Sequence, residues 1–283
     1  MTTDRATFLT GVAGTAAVAA AAPAFAASPD DIARDTRGMT FTTLRDGNVD
    51  HIGIRTARGI VDVARAAAGM SITDAPQTID DRAHIAETGE KTPPFPDLFN
   101  KYNTTLNRHG GTVAVSHLPA KNFDYESELT FVVGKHANNV SEADALKYVY
   151  GYTIVHDFTA RDAQMRVSQW MTGKTPDQFA PIGPWLVTAD QIPDPQTLQI
   201  QTFVNDEKTP RQDANTAQMI FNVAHILSYT SSFITLEPGD VVFTGTPQGV
   251  ISGYPKEKQV WLKPGDRIRS VITKLGELHF SLV

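Results

Sequence analysis

The chain has 283 residues, 41 % hydrophobic and 20 % charged, with a net charge of −6 and no cysteine. That balance fits a folded globular protein rather than a disordered one. It leaves no basic footprint for nucleic acid, and it excludes disulfides, thiolate metal sites and a cysteine nucleophile.

In chain order, residues 1–26 have the layout of a secretory signal peptide. Arg5 precedes an Ala-rich apolar stretch from Phe8 to Ala22, Pro23 breaks it, and Ala24-Phe25-Ala26 is a small-x-small cleavage site. The stretch is shorter than the roughly 20 residues that a membrane span needs, and no later segment is apolar enough to span. We expect an exported mature chain, periplasmic or secreted, beginning near Ala27. It would be cytoplasmic if the leader is not functional.

Residues 27–72 read as a small N-terminal lobe. Two short strands, around Phe41 to Arg45 and Asp50 to Arg55, flank a hairpin signal at Asp46-Gly47. Arg58-Gly59 turns the chain, and Ile60 to Ala68 is expected to start a helix. Residues 73–283 form the expected catalytic domain. Its first segment, Thr73 to Pro96, is polar and rich in Pro and Asp, which suits a linker or mobile lid. Strands are then predicted at Leu129–Val133, Tyr152–Val155, Pro184–Val187, Leu198–Val204, Val241–Thr244 and Ile268–Thr273. Ser141 and Asp144 have capping-box spacing and open an expected helix that Gly151 closes. Met219, Val223, Ile226 and Leu227 give helical periodicity to Asn215–Thr230. Strands outnumber helices, so the fold class is α+β and β-rich.

Chemistry concentrates in two places. Glu126 and Glu128 precede or enter an apolar strand, where residues two apart face the same way. A hard, oxygen-seeking cation would relieve their repulsion. The competing account is a solvated edge strand with two exposed carboxylates. Asp157 ends the apolar strand at Tyr152–Val155 and adds a third carboxylate, followed by the polar group Arg161, Asp162 and Gln164. Arg161 and Asp162 could equally form a surface ion pair of small energetic value.

Four blocks then stand in one order: DYESELTFVVGK from Asp124, GYTIVHDFTARDAQ from Gly151, GKTPDQFAPIGPWLVT from Gly173 and PGDVVFTGTPQGV from Pro238. Together they resemble the fumarylacetoacetate hydrolase family over roughly residues 40–283. The resemblance implies a mixed β-sandwich roll with a small N-terminal lobe. It places Glu126, Glu128 and Asp157 on the metal ligands, for Mg²⁺ or Mn²⁺, with Ca²⁺ also compatible with carboxylate oxygens. Lys174 falls on a substrate-facing lysine, Arg161 and Gln164 on the substrate-proximal polar pair, and Thr246 on a carboxylate-binding threonine. Gly245 and Gly249 allow close backbone approach to a ligand there, or are ordinary turn glycines.

His84 and Glu87 match the family's water-activating pair at the same spacing, although Asp80-Asp81 replaces the usual Asn-Tyr. His156 replaces the usual Asn beside the metal Asp; it is either a partner that orients Asp157 or, by preference, a buried core residue. His109, His117, His136, His225 and His279 receive no role, and Trp170, Trp185 and Trp261 are read as packing residues. The implied reaction is metal-dependent hydrolysis of a carbon–carbon bond in a small 2,4-dioxo acid. Decarboxylase, tautomerase or lyase chemistry on the same enolate is the first alternative, and a non-catalytic exported oxo-acid-binding protein the second. Relatives imply a homodimer.

Overall fold

The computed structural model describes residues 94–283 continuously. Of the preceding chain it describes the backbone of 40–46, 49–56, 59–62 and 77–78. The chain divides into two units, Met1–Thr73 and Asp74–Val283.

The first unit contains an antiparallel meander: β1 (Thr40–Asp46), β2 (Val49–Thr56) and β3 (Gly59–Asp62). Asp46 pairs with Val49 and Thr56 with Gly59, so both connections are two residues long. Two-residue loops close hairpins because their twist matches that of the strands. The helix expected from Ile60 is corrected here: Ile60 to Asp62 lie in β3. Its β-branched Ile-Val pair suits a strand, and the remainder of that predicted helix lies outside the described residues.

The second unit begins with β4 (Gln77–Thr78), β5 (Phe99–Asn100), β6 (Leu106–Arg108), β7 (Gly111–Val113), β8 (Phe123–Asp124) and β9 (Ser127–Val133). It continues with β10 (Val149–His156), β11 (Thr159–Ala160), α1 (Arg161–Gln164), α2 (Met171–Lys174), β12 (Ala180–Thr188), β13 (Gln199–Val204) and β14 (Gln212–Asn215). Last come α3 (Val223–Phe233), β15 (Val241–Phe243), β16 (Arg267–Ile272) and β17 (Gly276–Leu282). One sheet of this unit runs β12-β10-β9-β15-β4-β5, with β6 beside β12; a second runs β14-β13-β16-β17-β7; β8 and β11 form a small ribbon. The fold is β-rich, as its composition of strand signals predicts.

Two apolar clusters form the interior. Leu129, Phe131 and Val133, alternate residues of β9, pack with Tyr152 and Ile154 of β10 and with Ile226 and Leu227 of α3. Phe123, Phe158, Phe179 and Phe280 build the other, with the Phe158 and Phe179 rings edge-on at 4.9 Å. Edge-to-face geometry is the arrangement that the ring quadrupoles favour.

Two helix expectations need correction. Ser141 does not cap: its hydroxyl donates to the Asp144 carboxylate, and the segment Glu142–Tyr148 is a 3₁₀ helix. Gly151 lies inside β10, where a Cβ would come 2.4 Å from the Val187 carbonyl oxygen; glycine serves close strand approach, not a helix end. The helix expected over Asn215–Thr230 is two helices. Asn215 caps a short 3₁₀ turn, Thr216–Gln218, and Asn222 starts α3 by accepting from the His225 N–H at 2.7 Å. Each Asn supplies the acceptor that a helix start lacks. No helix among the described residues is long and apolar enough to cross a membrane.

Candidate active site and metal centre

Strand pairing brings the acids together. β10 runs antiparallel to β9 with Val155 opposite Glu128 and His156 opposite Ser127. The residue after β10 therefore arrives level with the one before β9, and the Asp157 N–H donates to the Glu126 carbonyl at 2.9 Å. Glu126, Glu128 and Asp157 are fully buried, and one oxygen of each lies within 4.8 Å of the others. β9 sits between β10 and β15, which removes the solvated-edge account.

Three cations surround the acids. Lys174, the last residue of α2, donates to Glu126 Oε2 and Asp157 Oδ2 at 2.6 Å each. Lys101 donates to Asp157 Oδ1 at 2.6 Å and to the Lys174 carbonyl. Arg161, the first residue of α1, places Nη2 2.5 Å from Glu126 Oε1 and Nε 3.0 Å from Asp124 Oδ2. Asp124 also accepts from the N–H groups of Ile251 and Ser252, and Glu128 Oε2 accepts from the Gly245 N–H at 2.7 Å. Four buried carboxylates thus face three cations. Burial alone would push the Asp157 carboxyl up, but Lys101 and Lys174 against it hold it below the usual carboxylate range. Burial lowers the Lys101 ammonium in turn, partly offset by Asp157.

The other predicted residues fall as follows. Arg161 is committed to Asp124 and Glu126 rather than to Asp162, which accepts from the N–H groups of Lys121 and Asn122. Gln164 is buried beside it and accepts from Arg161 Nη1 at 3.2 Å. The Thr246 hydroxyl donates to the Ser127 carbonyl and accepts from Gln212 Nε2, so protein groups already hold it. Gly245 brings its N–H to Glu128, a close approach at φ +87° that suits glycine. His156 takes the core role: its Nε2 lies 2.5 Å from Ser270 Oγ, its ring meets Phe280 at 4.9 Å, and burial pushes its pKa down to about 3. Trp170 packs edge-on against Phe99, whose ring lies 5.4 Å from Lys174 Nζ. His84 and Glu87 lie outside the described residues, as do the leader and most of the predicted lid.

Sequence reasoning missed Lys101. Its one signal is a lysine set between Phe99 and Tyr102, with no spacing relation to the acids. Asp124, part of a quoted block but given no role, turns out to anchor Arg161.

The donor set fits a hard divalent cation. Three carboxylates converge in a buried site with no nitrogen or sulfur ligand in the cluster, and oxygen-only sets suit Mg²⁺, Mn²⁺ or Ca²⁺. With such a charge added, the basin would carry net positive charge and attract small anions.

Comparisons with known proteins place the chain among relatives. The model of the fumarylacetoacetate hydrolase C-terminal region matches residues 67–283. A mitochondrial oxaloacetate tautomerase of Xenopus laevis is 41 % identical over 202 residues, which cover 71 % of this chain and 62 % of that protein. The chain thus spans less than two thirds of that relative. A fumarylpyruvate hydrolase of Pseudomonas aeruginosa, solved in complex with Mn²⁺ and pyruvate, superposes with a TM-score of 0.67 at 29 % identity, covering 86 % of this chain and 95 % of that one. A 2-hydroxyhepta-2,4-diene-1,7-dioate isomerase of Mycobacterium marinum gives a TM-score of 0.67 at 26 % identity, covering 87 % and 98 %.

Proposed function

The chain belongs to the fumarylacetoacetate hydrolase family, and from that premise we propose that it hydrolyses a carbon–carbon bond in a small 2,4-dioxo acid. Glu126, Glu128 and Asp157 would hold the divalent cation, Mg²⁺ or Mn²⁺. The observation that carries the proposal is the buried three-carboxylate cluster with the Lys174 ammonium on two of its members.

When bound, the cation supplies Lewis-acid polarisation of the substrate's carboxylate and adjacent oxo group. Lys174 adds positive charge at the same oxygens, where low polarity of the surroundings strengthens it. Lys101 fixes the free side of Asp157 and supports the Lys174 backbone. Arg161 orients Glu126 and Gln164 and, with Gln164, borders the place of the substrate. Thr246 shapes the loop that carries the Gly245 N–H. His84, oriented by Glu87, takes the proton from water as it adds to the distal carbonyl carbon. The bond from that carbon to the methylene then breaks. Its electron pair becomes a pyruvate enolate, which takes up a proton, and the distal fragment leaves as a carboxylic acid.

Acetylpyruvate with the cation-loaded protein tests this directly: pyruvate and acetate should form in equal amounts. A second reading is supported by the relative from Xenopus laevis, which bears the name oxaloacetate tautomerase. It requires enol–keto interconversion of oxaloacetate with no carbon–carbon cleavage, and it fails if acetylpyruvate is cleaved while oxaloacetate interconverts at the uncatalysed rate. His84→Ala should lower hydrolysis by about 10²–10⁴-fold and leave cation affinity unchanged. The proposal extends to a homodimer and to an exported chain beginning near Ala27, testable by sedimentation and by intact-mass measurement.

A further inference from the structure

β15 leaves β9 early. Their ladder ends where Phe243 stands opposite Thr130, and Gly245, at φ +87°, then turns the chain off the strand path. The next residues stay on β9 through side-chain chemistry. The Thr244 hydroxyl donates to the Leu129 carbonyl at 2.8 Å, the Gly245 N–H to Glu128 Oε2 at 2.7 Å, and the Thr246 hydroxyl to the Ser127 carbonyl at 2.9 Å. Contacts of this kind fix a position only when the side chains that make them are themselves held.

Gln212 holds them from the second sheet. It is the first residue of β14, stands opposite Thr202 of β13, and is fully buried. Its Nε2 donates to Thr246 Oγ1 at 2.7 Å and to the Pro247 carbonyl at 2.8 Å. Its Oε1 accepts from the Ser127 N–H at 3.2 Å and from the Thr202 hydroxyl at 2.8 Å. A side-chain amide has two N–H donors and two acceptor lone pairs, so all four are used. Ser127 lies between Glu126 and Glu128. Its N–H belongs to the peptide that joins it to Glu126, and its carbonyl to the peptide that joins it to Glu128. Gln212 takes the first directly and fixes the second through Thr246. One buried amide thus ties both peptides between the paired acids to the loop that delivers the Gly245 N–H.

We propose that Gln212 is a positioning residue for the cation site: it fixes the peptides on either side of Ser127, and with them the aim of Glu126 and Glu128 at a divalent ion, without itself touching the ion. This rests on the assignment of those acids as cation ligands.

Titration calorimetry of the full-length, metal-free protein with Mn²⁺ tests it. Gln212→Met keeps the side-chain length and removes the amide. Affinity should fall about ten- to a hundredfold, the usual loss when a partner behind the ligands is removed. Glu128→Gln lowers affinity on its own. The double variant should bind at least about threefold more tightly than the product of the two separate losses gives, because both act through one ligand. Thr246→Val leaves Gln212 in place and should lower affinity in the same direction; it carries the test if Gln212→Met does not fold. Ile226→Val loosens the apolar cluster at α3 and should leave affinity unchanged. Losses that simply multiply, wild-type affinity in a folded Gln212→Met or in Thr246→Val, or an equal fall in Ile226→Val, overturn the role of Gln212. Failure of the wild type to bind Mn²⁺ overturns the ligand assignment beneath it, and this role with it.

Discussion

Lys101 donates to Asp157 from 56 residues earlier in the chain, both side chains fully buried. Removing one partner of a buried pair leaves a charge without its counterpart, typically at a cost of about 3–5 kcal/mol. Lys174 still touches Asp157, so Lys101→Met should destabilise the metal-free protein by about 3 kcal/mol, toward the low end of that range. Urea unfolding with chelator present measures this. Added Mn²⁺ should restore more stability to the variant than to the wild type, because the cation takes over neutralisation of Asp157. Equal metal stabilisation in both would dissociate Lys101 from the cation site.

Glu128→Gln keeps the volume and an acceptor for the Gly245 N–H while deleting one negative charge. Affinity for Mn²⁺ should fall at least about tenfold, some 1.4 kcal/mol, with little change in melting temperature. Unchanged affinity would take Glu128 out of the ligand set.

His156 is held neutral in the fold by burial, with a pKa of about 3 against 6.5 as its ordinary value. Between these values the unfolded chain binds a proton that the folded one does not. Stability therefore rises with pH through this window, by at most about 1.4 kcal/mol per pH unit from this group. A cation at Asp157 would offset the one neighbouring charge that favours the imidazolium, so the sign is the same with metal bound. His156→Gln, which can still reach Ser270, should show a smaller drop in melting temperature from pH 6.5 to pH 4.5 than the wild type. An identical drop would place the acid sensitivity elsewhere.

Gly173 packs directly on α1: a Cβ there would lie 2.5 Å from the Gln164 backbone nitrogen. Gly173→Ala should force α1 and α2 apart and destabilise by about 1–3 kcal/mol, the usual range for overpacking. Since Lys174 is the next residue, turnover should fall more than Mn²⁺ affinity does. Full activity with wild-type stability would contradict the rigid seating of Lys174.

The parts of the site legible in the sequence are those governed by local geometry. The two-residue period puts Glu126 and Glu128 on one side of the chain, and the end of an apolar strand marks Asp157. What could not be read depends on partners distant in sequence. Arg161 has Asp162 as its neighbour but pairs with Asp124, because the β8–β11 ribbon sets Asp124 opposite Thr159, two residues before Arg161. Lys101 has no local pattern at all; only the finished sheet brings it to Asp157. Among the helices, the apolar residues from Met219 to Phe221 hide the break before Asn222, which caps α3. Ser141 had the right spacing for a cap and spent its hydroxyl on a neighbouring carboxylate instead.

The four buried acids lie within residues 124–157, while Lys101 and Gly245 reach them across 56 and 117 residues, and Lys174 reaches Glu126 across 48 and Asp157 across 17. Until those segments dock, a nascent β9–β10 hairpin carries concentrated negative charge at the end where Glu126, Glu128 and Asp157 meet. Such long loops close slowly. The same charges that make the finished centre selective thus oppose its assembly, and mobile counter-ions in solution, by screening them, act as temporary stand-ins for lysines that have not yet docked.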